Sequence, residues 1–341
     1  MNAARNVFPN KAAATRAGTW FAAIAGQEWA KRKNDLPIVK ALAEGVGTSG
    51  GFLVPQEMSK AIIELRDVRG VFRRVCDGAT PMTSDSLSVP RRVGGATAFF
   101  SAEASTLTES NQTWDNVGLV AKKLAVLTRT SSELQEDAAA NFGETISREF
   151  AYALASKEDD VGFNGTGAQS DGGIRGLTQL IIDGSHTASR VNAATGHDLF
   201  TEIDATDLAL LVGTTPSYAL PGASWIVSPM GFAQVFGRLA GNNGGIVVLN
   251  GEMTFWTFPI RISSVLPNVT STLLNKVMIL FGDASLSSTL GETRQITIAQ
   301  AAGRYLDQDQ ILWKGTERID IVNHDLGDNT TAGPIVGLVG A

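Results

Sequence analysis

Apolar residues recur three and four apart in Phe142, Ile146, Phe150, Leu154 and Val161, a spacing that predicts one helix of about six turns over residues 142–163. Asn141 stands at its N-cap with Glu144 three residues on, and Asn164-Gly165-Thr166-Gly167 supplies the stop. Glu144 and Arg148 are spaced to pair on the opposite face. Glu158-Asp159-Asp160 point in different directions around such a helix and cannot converge on one cation; with Lys157 beside them they read as a solvated face.

Before this helix the period changes to two. Leu87 and Val89 begin a strand, Gly94-Gly95 offers a turn, and residues 98–101 begin a return leg. The stretch from Ser101 to Asp115 is almost wholly polar, too poor in apolar surface to build a core, so it is ordered only by leaning on something else, and a neighbouring copy of the chain is the natural support. Residues 117–130 read as one buried strand, with Leu119, Ala121 and the run Leu124 to Leu127, and Thr130-Ser131-Ser132-Glu133 has the spacing of a capping box for a short helix through Ala138.

At the N-terminus, residues 12–33 read as an alanine-rich helix carrying Trp20, Phe21, Ile24 and Trp29, followed by a Gly/Ser-rich break over 44–51. Phe52 to Pro55 is extended, and Met58, Ile62 and Leu65 predict a further helix. After a loop over 169–200 come a helix near 206–213, a strand at 224–227 and a helix opened by Ser228-Pro229 and running to Leu239. A turn over 241–245, an extended segment over 253–265 and a strand at 277–281 complete this α/β portion. Strands at 293–299 and 311–322 are expected to join 117–130 in one antiparallel sheet, with residues 314–320 too polar on alternate positions to be fully buried. The class is α+β.

Composition narrows the possibilities. A 341-residue chain with 43% apolar and 18% charged residues has the makings of an ordinary packed core. Its longest apolar runs, such as 277–281, fall far short of the roughly 20 residues a membrane helix needs. The first 30 residues hold no continuous apolar core of signal-peptide type, so synthesis and residence in the cytoplasm are expected. The net charge is -6, which argues against tight wrapping of nucleic acid, yet residues 1–40 hold seven basic side chains against two acidic ones. That basic arm reads either as a nonspecific phosphate contact or as a solvated helix face. Cys76 is the single cysteine and reads as a small buried apolar residue.

Candidate chemistry is sparse. Gly45-Val46-Gly47-Thr48-Ser49-Gly50 matches a dinucleotide fingerprint in letters, but a helix precedes it and Phe52-Leu53-Val54-Pro55 follows, so it reads as a hinge. Ser49 in that hinge is far from His186, His197 and His324, and no Cys/His spacing fits zinc. No catalytic, cofactor-binding or metal-binding residue is assigned. The basic pairs Arg73-Arg74, Arg91-Arg92 and Lys122-Lys123 lack interleaved aromatics and read as ion-pair partners for another chain.

The segments Phe100-Ser101-Ala102-Glu103 and Asn111-Gln112-Thr113-Trp114-Asp115, the run from Ala121 to Ala138, and Ile146 to Asp159 with Phe163-Asn164-Gly165-Thr166-Gly167 and Gly173-Ile174-Arg175-Gly176-Leu177 resemble, in order and length, the major capsid proteins of tailed bacteriophages with the HK97-like fold. The resemblance spans about Gly50 to the C-terminus. It implies an N-terminal arm (1–49), the start of a peripheral domain (50–83), an extended E-loop hairpin (84–118) and the rest of the peripheral domain with its spine helix (119–204). An axial domain (205–292) and the return strands of the peripheral domain (293–341) follow. It implies a structural subunit and not an enzyme, assembling with itself into hexamers and pentamers of an icosahedral head around packaged double-stranded DNA. Scaffold and portal proteins, and decoration proteins in some heads, are the further partners it implies, with assembly in the host cytoplasm and no membrane. A bacterial encapsulin-type compartment shell is the alternative on the same fold.

Contacts between subunits are expected at Phe99, Phe100, Leu107 and Trp114, which would bury on a neighbour, at Arg91, Arg92, Glu103 and Glu109 across the seam, and at Arg148 on the spine helix. Some members of that family join an E-loop lysine covalently to an asparagine. Here no lysine lies between Ser84 and Ala121, and Asp309 occupies the position opposite, so a non-covalent shell is expected.

Overall fold

The computed structural model describes residues 66, 70–94, 100, 111, 113–131, 139–243, 246–249, 252–305 and 308–341. The helix expected over 12–33, the glycine hinge, the helix carrying Met58, Ile62 and Leu65, and residues 132–138 of the short helix lie outside the described residues.

Helix α1 (Val71–Val75) leads to a two-residue strand β1 (Thr80–Pro81) and then to β2 (Ser86–Gly94) and β3 (Thr113–Val120). The last two form an antiparallel ribbon, paired from Ser86 with Val120 to Gly94 with Thr113. Gly94 is thus still paired within the ribbon, opposite Thr113, and the strand that β2 pairs with is 113–120; Gly95 and most of the return leg expected at 98–101 lie outside the described residues. Alternation along β3 sends Val117 and Leu119 inward while their neighbours face out, which fixes the register with β2.

The chain bends at Ala121, whose N–H donates to the Asp85 carbonyl, and β4 (Lys122–Ser131) departs into another sheet. The single buried strand expected over 117–130 is thus two strands in two sheets. β4 is an edge strand with one open face, so Leu127 is exposed where burial was expected.

Helix α2 (Ala139–Asn164) is the expected long helix, 26 residues in all. It buries Ile146, Phe150, Leu154 and Val161, the stripe its sequence announces. Phe150 packs over Gly315, where a Cβ would lie 2.9 Å from the ring, so glycine lets the helix close on the sheet beneath. Helix α3 (Leu177–Ile182) and strand β5 (Arg190–Asn192) follow.

Helix α4 (Ala205–Thr214) starts at a capping box in which Asp204 accepts from the Thr206 and Asp207 N–H groups and Asp207 accepts from Asp204 N–H. Strand β6 (Ser224–Val227) feeds α5, which runs through Pro229–Gly231, a π-helical Phe232–Gly237 and Arg238–Asn243, with Ser228 capping its start. β7 (Ile246–Leu249), β8 (Glu252–Phe255) and β9 (Phe258–Ile262) come next. The extended segment expected over 253–265 is in fact a hairpin, turning at Trp256 and Thr257, both with positive φ. β10 (Val277–Gly282), α6 (Ala284–Ser287), β11 (Ser288–Tyr305), β12 (Gln310–Asn323) and β13 (Ile335–Val339) complete the chain. No sequence signal singled out β13.

Two larger sheets result. One runs β1-β11-β12-β4, with β12 antiparallel to both β11 and β4 as expected of its sequence. The other runs β5-β13-β10-β6-β9-β8-β7, and its central strands β6, β10 and β13 are buried at every position, apolar on both faces because layers cover both. One core, around Phe72, Phe163, Leu177, Ile181, Leu280 and Ile321, spans the joint between the sheets; a second, around Phe200, Leu208, Trp225, Phe236 and Phe281, fills the far side of the larger one. Residues 314–320 are not fully buried, as expected, since Lys314 is exposed and Arg318 half-buried, but Thr316, Glu317 and Asp320 are buried where ionic and hydrogen-bonding partners meet them inside.

Candidate subunit interface

The ribbon of β2 and β3 is held at its base and open toward its tip. Leu119 packs with Met82 and Ala121, against Leu87 and Val89 of β2 and Val322 of the body, and Val117 is buried beside it on β3. Polar ties reinforce this anchorage. The Val120 N–H donates to Asp320 at 2.7 Å, Lys122 lies 3.6 Å from the same carboxylate, and Arg318 pairs with Asp85. Arg91 donates to the His324 carbonyl and faces Asp115, its register partner on β3, at 3.5 Å.

His324 is itself enclosed. Its Nε2 lies 3.0 Å from the Thr289 hydroxyl, and burial, with the Arg91 charge beside it, lowers its pKa from the usual imidazole value. The ring is thus favoured neutral where the ribbon meets the body.

Farther along, the support ends. Trp114 is 62% exposed and Phe100 is fully exposed, so these two of the apolar side chains expected to bury on a neighbour have no cover among the described residues. Arg148 is exposed on α2. The backbone of Arg92 pairs with Trp114; Phe99, Glu103, Leu107 and Glu109 lie outside the described residues. Arg91, by contrast, spends its hydrogen bonds within its own chain.

Between α1, α2 and the strands β11 and β12 sits a buried ionic cluster. Arg73 was expected to face a partner chain; it is buried and grips Glu158 of α2 through Nη2–Oε1 at 2.7 Å and Nε–Oε2 at 3.2 Å, while its Nη1 lies 2.9 Å from Glu292 of β11. Arg66 lies 2.6 Å from Glu317 of β12 and 3.1 Å from Glu292. The solvated face expected at 158–160 holds for Asp160, which pairs with Lys157 at 2.9 Å, and is corrected for the two residues before it. Glu158 and Asp159 are both buried, and Asp159 accepts from the Val71 and Phe72 N–H groups at 3.0 and 2.8 Å, capping α1 from another helix. The signal for Glu158 was present: it lies four residues past Leu154, in phase with the buried stripe, where a carboxylate requires a buried cation.

Electrostatics follow from this packing. Burial, then the nearby Glu158 charge, pushes the Glu317 carboxyl up to about 8 even though Arg66 opposes it. Burial also pushes Glu292 upward, but Arg66 and Arg73 outweigh it and hold that group below its usual value. Asp159 is raised by burial to about 6 despite its two N–H donors. Cys76 is buried as expected, and burial pushes its thiol up, away from reactivity.

His197, Asp204 and Asp207 also converge, with His197 Nδ1 2.7 Å from Asp207. Their carboxylates already serve the start of α4 and the Ala194 N–H, which is a structural task.

Comparison with known proteins gives this arrangement a context. The sequence profile described as the phage capsid family matches residues 50–325. The major capsid protein of Klebsiella oxytoca phage phiKO2 is 24% identical over 314 residues, covering 89% of this chain and 71% of that protein. Among solved structures, the capsid of a native GTA particle superposes with a TM-score of 0.58 at 16% identity, covering 80% of this chain and 90% of the other. Mycobacterium phage Cain gives 0.54, also at 16% identity and the same coverage. These likenesses establish the HK97-like fold.

Proposed function

The chain belongs to the phage capsid family and is a phage major capsid protein, and we propose that it builds the icosahedral head of a tailed double-stranded DNA phage through the projecting β2–β3 arm. The observation that carries this reading is the contrast within that arm. Its base is fastened to the body by Leu119, Arg91 and Val120, while Phe100 and Trp114 are exposed. Bare aromatic side chains at the end of an anchored ribbon are the makings of a contact with another copy.

In this reading the chain does no catalysis. Copies form hexamers and pentamers; Arg92, Glu103, Glu109 and Arg148 pair across seams, and Phe99, Phe100, Leu107 and Trp114 supply the apolar contact. Each exposed ion pair contributes only about 0–1 kcal/mol, so the shell draws its strength from repetition of the same contact around closed symmetry. The division into arm (1–49), peripheral portions (50–83, 119–204 and 293–341), E-loop (84–118) and axial domain (205–292) belongs to the same proposal. So do a scaffold, a portal, decoration proteins in some heads, packaged DNA touched nonspecifically by the basic residues of 1–40, and assembly in the host cytoplasm.

The contact is non-covalent, and purified particles run as a single band in denaturing electrophoresis; a ladder of chain multiples overturns that part. Electron microscopy of the expressed chain with a nuclease-protection assay tests the whole. Large heads that protect DNA are expected from infected cells. Small shells that are empty or filled with an enzyme would identify a compartment protein instead, and a persistent monomer would remove the shell function altogether.

A further inference from the structure

Two exposed surfaces of opposite charge lie at the two ends of β10. Where the strand begins, a groove of about 590 Å³ opens between the C-terminal end of α2, helix α3 and the loop from β9. Ile182, Val269 and Leu274 make it apolar, and Leu274 is 53% exposed. Lys276 is the only charged side chain among its described lining residues and has no carboxylate partner among the described residues. Arg190 stands at the rim, donating to Asn275 Oδ1 at 3.1 Å. Where the strand ends, Asp283 opens α6, and Leu286 of that helix is 42% exposed. Tyr218, 60% exposed, precedes the turn at Gly222, against which Asp283 Oδ2 lies. Asp325 joins them, since its N–H donates to the Ser287 carbonyl of α6 at 3.2 Å. Asp283 accepts from Ser285 and Asp325 from Gly327, and neither carboxylate has a cationic partner among the described residues.

We propose that each copy lodges Tyr218 and Leu286 in this groove of the next copy, with Asp283 and Asp325 facing Lys276 and Arg190 across the contact. The inference rests on the shell-building reading above and adds a contact between bodies in which the arm takes no part. Three observations select this occupant. The groove brings two cations and the far end two carboxylates, each set unpaired within its own chain, so the two surfaces complement each other in charge as well as in apolar character. They lie at opposite ends of one buried strand, about 17 Å apart over Val277–Gly282, so neither can fold back on the other and the contact runs head to tail from copy to copy. Another exposed apolar surface of the same sheet, Met253 and Trp256, is a poorer match, because Glu252 beside it is already paired with Arg261 at 2.7 Å.

The test uses a Leu274→Cys, Leu286→Cys double variant assembled into particles, oxidised with diamide, quenched with N-ethylmaleimide and run on non-reducing denaturing gels. Both positions are exposed, and Cys76 is buried and stays silent. A disulfide needs Cα atoms within about 7 Å, so the two new cysteines of one chain cannot join and every link is between copies. A ladder of chain multiples in the double variant, and a single band in each single variant, is the expected result. Particles whose chains stay at their own mass overturn the proposal, as does a dimer from either single variant, which would mean that like surfaces meet. Hydrogen exchange on the unsubstituted protein decides the matter should the double variant not assemble: residues 265–276 and 283–287 are expected to slow together, on the order of tenfold, between free subunits and particles. Slowing at one of them or at neither refutes the contact and leaves the shell function standing, whereas absence of particles from the unsubstituted chain refutes the shell function itself.

Discussion

Arg73 and Glu158 meet as a two-point ion pair in the interior, Nη2 to Oε1 at 2.7 Å and Nε to Oε2 at 3.2 Å, tying α1 to the long helix α2. Through Glu292 the same pair reaches β11, and Arg66 donates to Glu317 of β12, so helix and sheet are clamped to each other at one point. Glu158→Gln removes one carboxylate and leaves the buried Arg73 guanidinium between a neutral amide and Glu292. A loss of about 3–5 kcal/mol in folding stability is expected. Chemical denaturation of free subunits measures it; a loss under about 1 kcal/mol would mean water reaches the cluster.

Glu317 ties that clamp to pH. Its folded carboxyl is pushed up to about 8, above the ordinary glutamate value of 4.5, so the folded state binds the proton more tightly than the unfolded chain. The stabilisation is complete below about 4.5 and is lost as pH rises through about 8. Thermal midpoints of the unsubstituted protein are expected to fall from this source between those limits, and Glu317→Gln should flatten the slope. An unchanged slope in the variant assigns the dependence elsewhere, Asp159 being the next group raised by burial.

At His324 the sign is reversed. Burial and Arg91 lower its pKa, so this group contributes stability above the unfolded imidazole value of about 6.5 that is lost as pH falls through its lower folded value. A protonated ring would place a second positive charge beside Arg91 at the root of the arm. Protection of residues 86–94 against hydrogen exchange, taken relative to the intrinsic rate at each pH, is expected to fall as pH drops from 7 to 5, and to fall less in His324→Gln. An equal fall in both proteins would clear the histidine.

Deleting residues 96–113 removes the tip and spares most of the anchorage, since Leu119, Val117 and Val120 lie beyond the cut. A soluble, folded monomer with an unchanged far-ultraviolet spectrum that forms no closed shell is expected, seen by sedimentation and electron microscopy. Normal particles from this deletion would show that the arm is dispensable.

Gly162 sits on α2 where Phe72 of α1 lies against it, and a Cβ there would come within 2.5 Å of the ring. Gly162→Ala should therefore cost about 1–3 kcal/mol by overpacking, despite alanine's better helix propensity, and denaturant midpoints will show the direction. A stabilised variant would mean that α1 can shift freely.

Local pattern was enough for much of this chain. The stripe Ile146, Phe150, Leu154 and Val161 announced the long helix, and Ser228 announced a helix start. Each depends on interactions within a few residues, which spacing records directly. What tertiary structure alone decided were the long-range matches: Gly94 opposite Thr113, β13 beside β10, and the burial of Arg73, Glu158, Glu317 and Asp320. A charged residue reads as solvated until its partner is known, and the partners here lie far away in sequence, Arg73 from Glu158 and Arg66 from Glu317. Whether a charge belongs inside is settled by what folding brings against it, because burial is tolerated only when an opposite charge arrives at the same place.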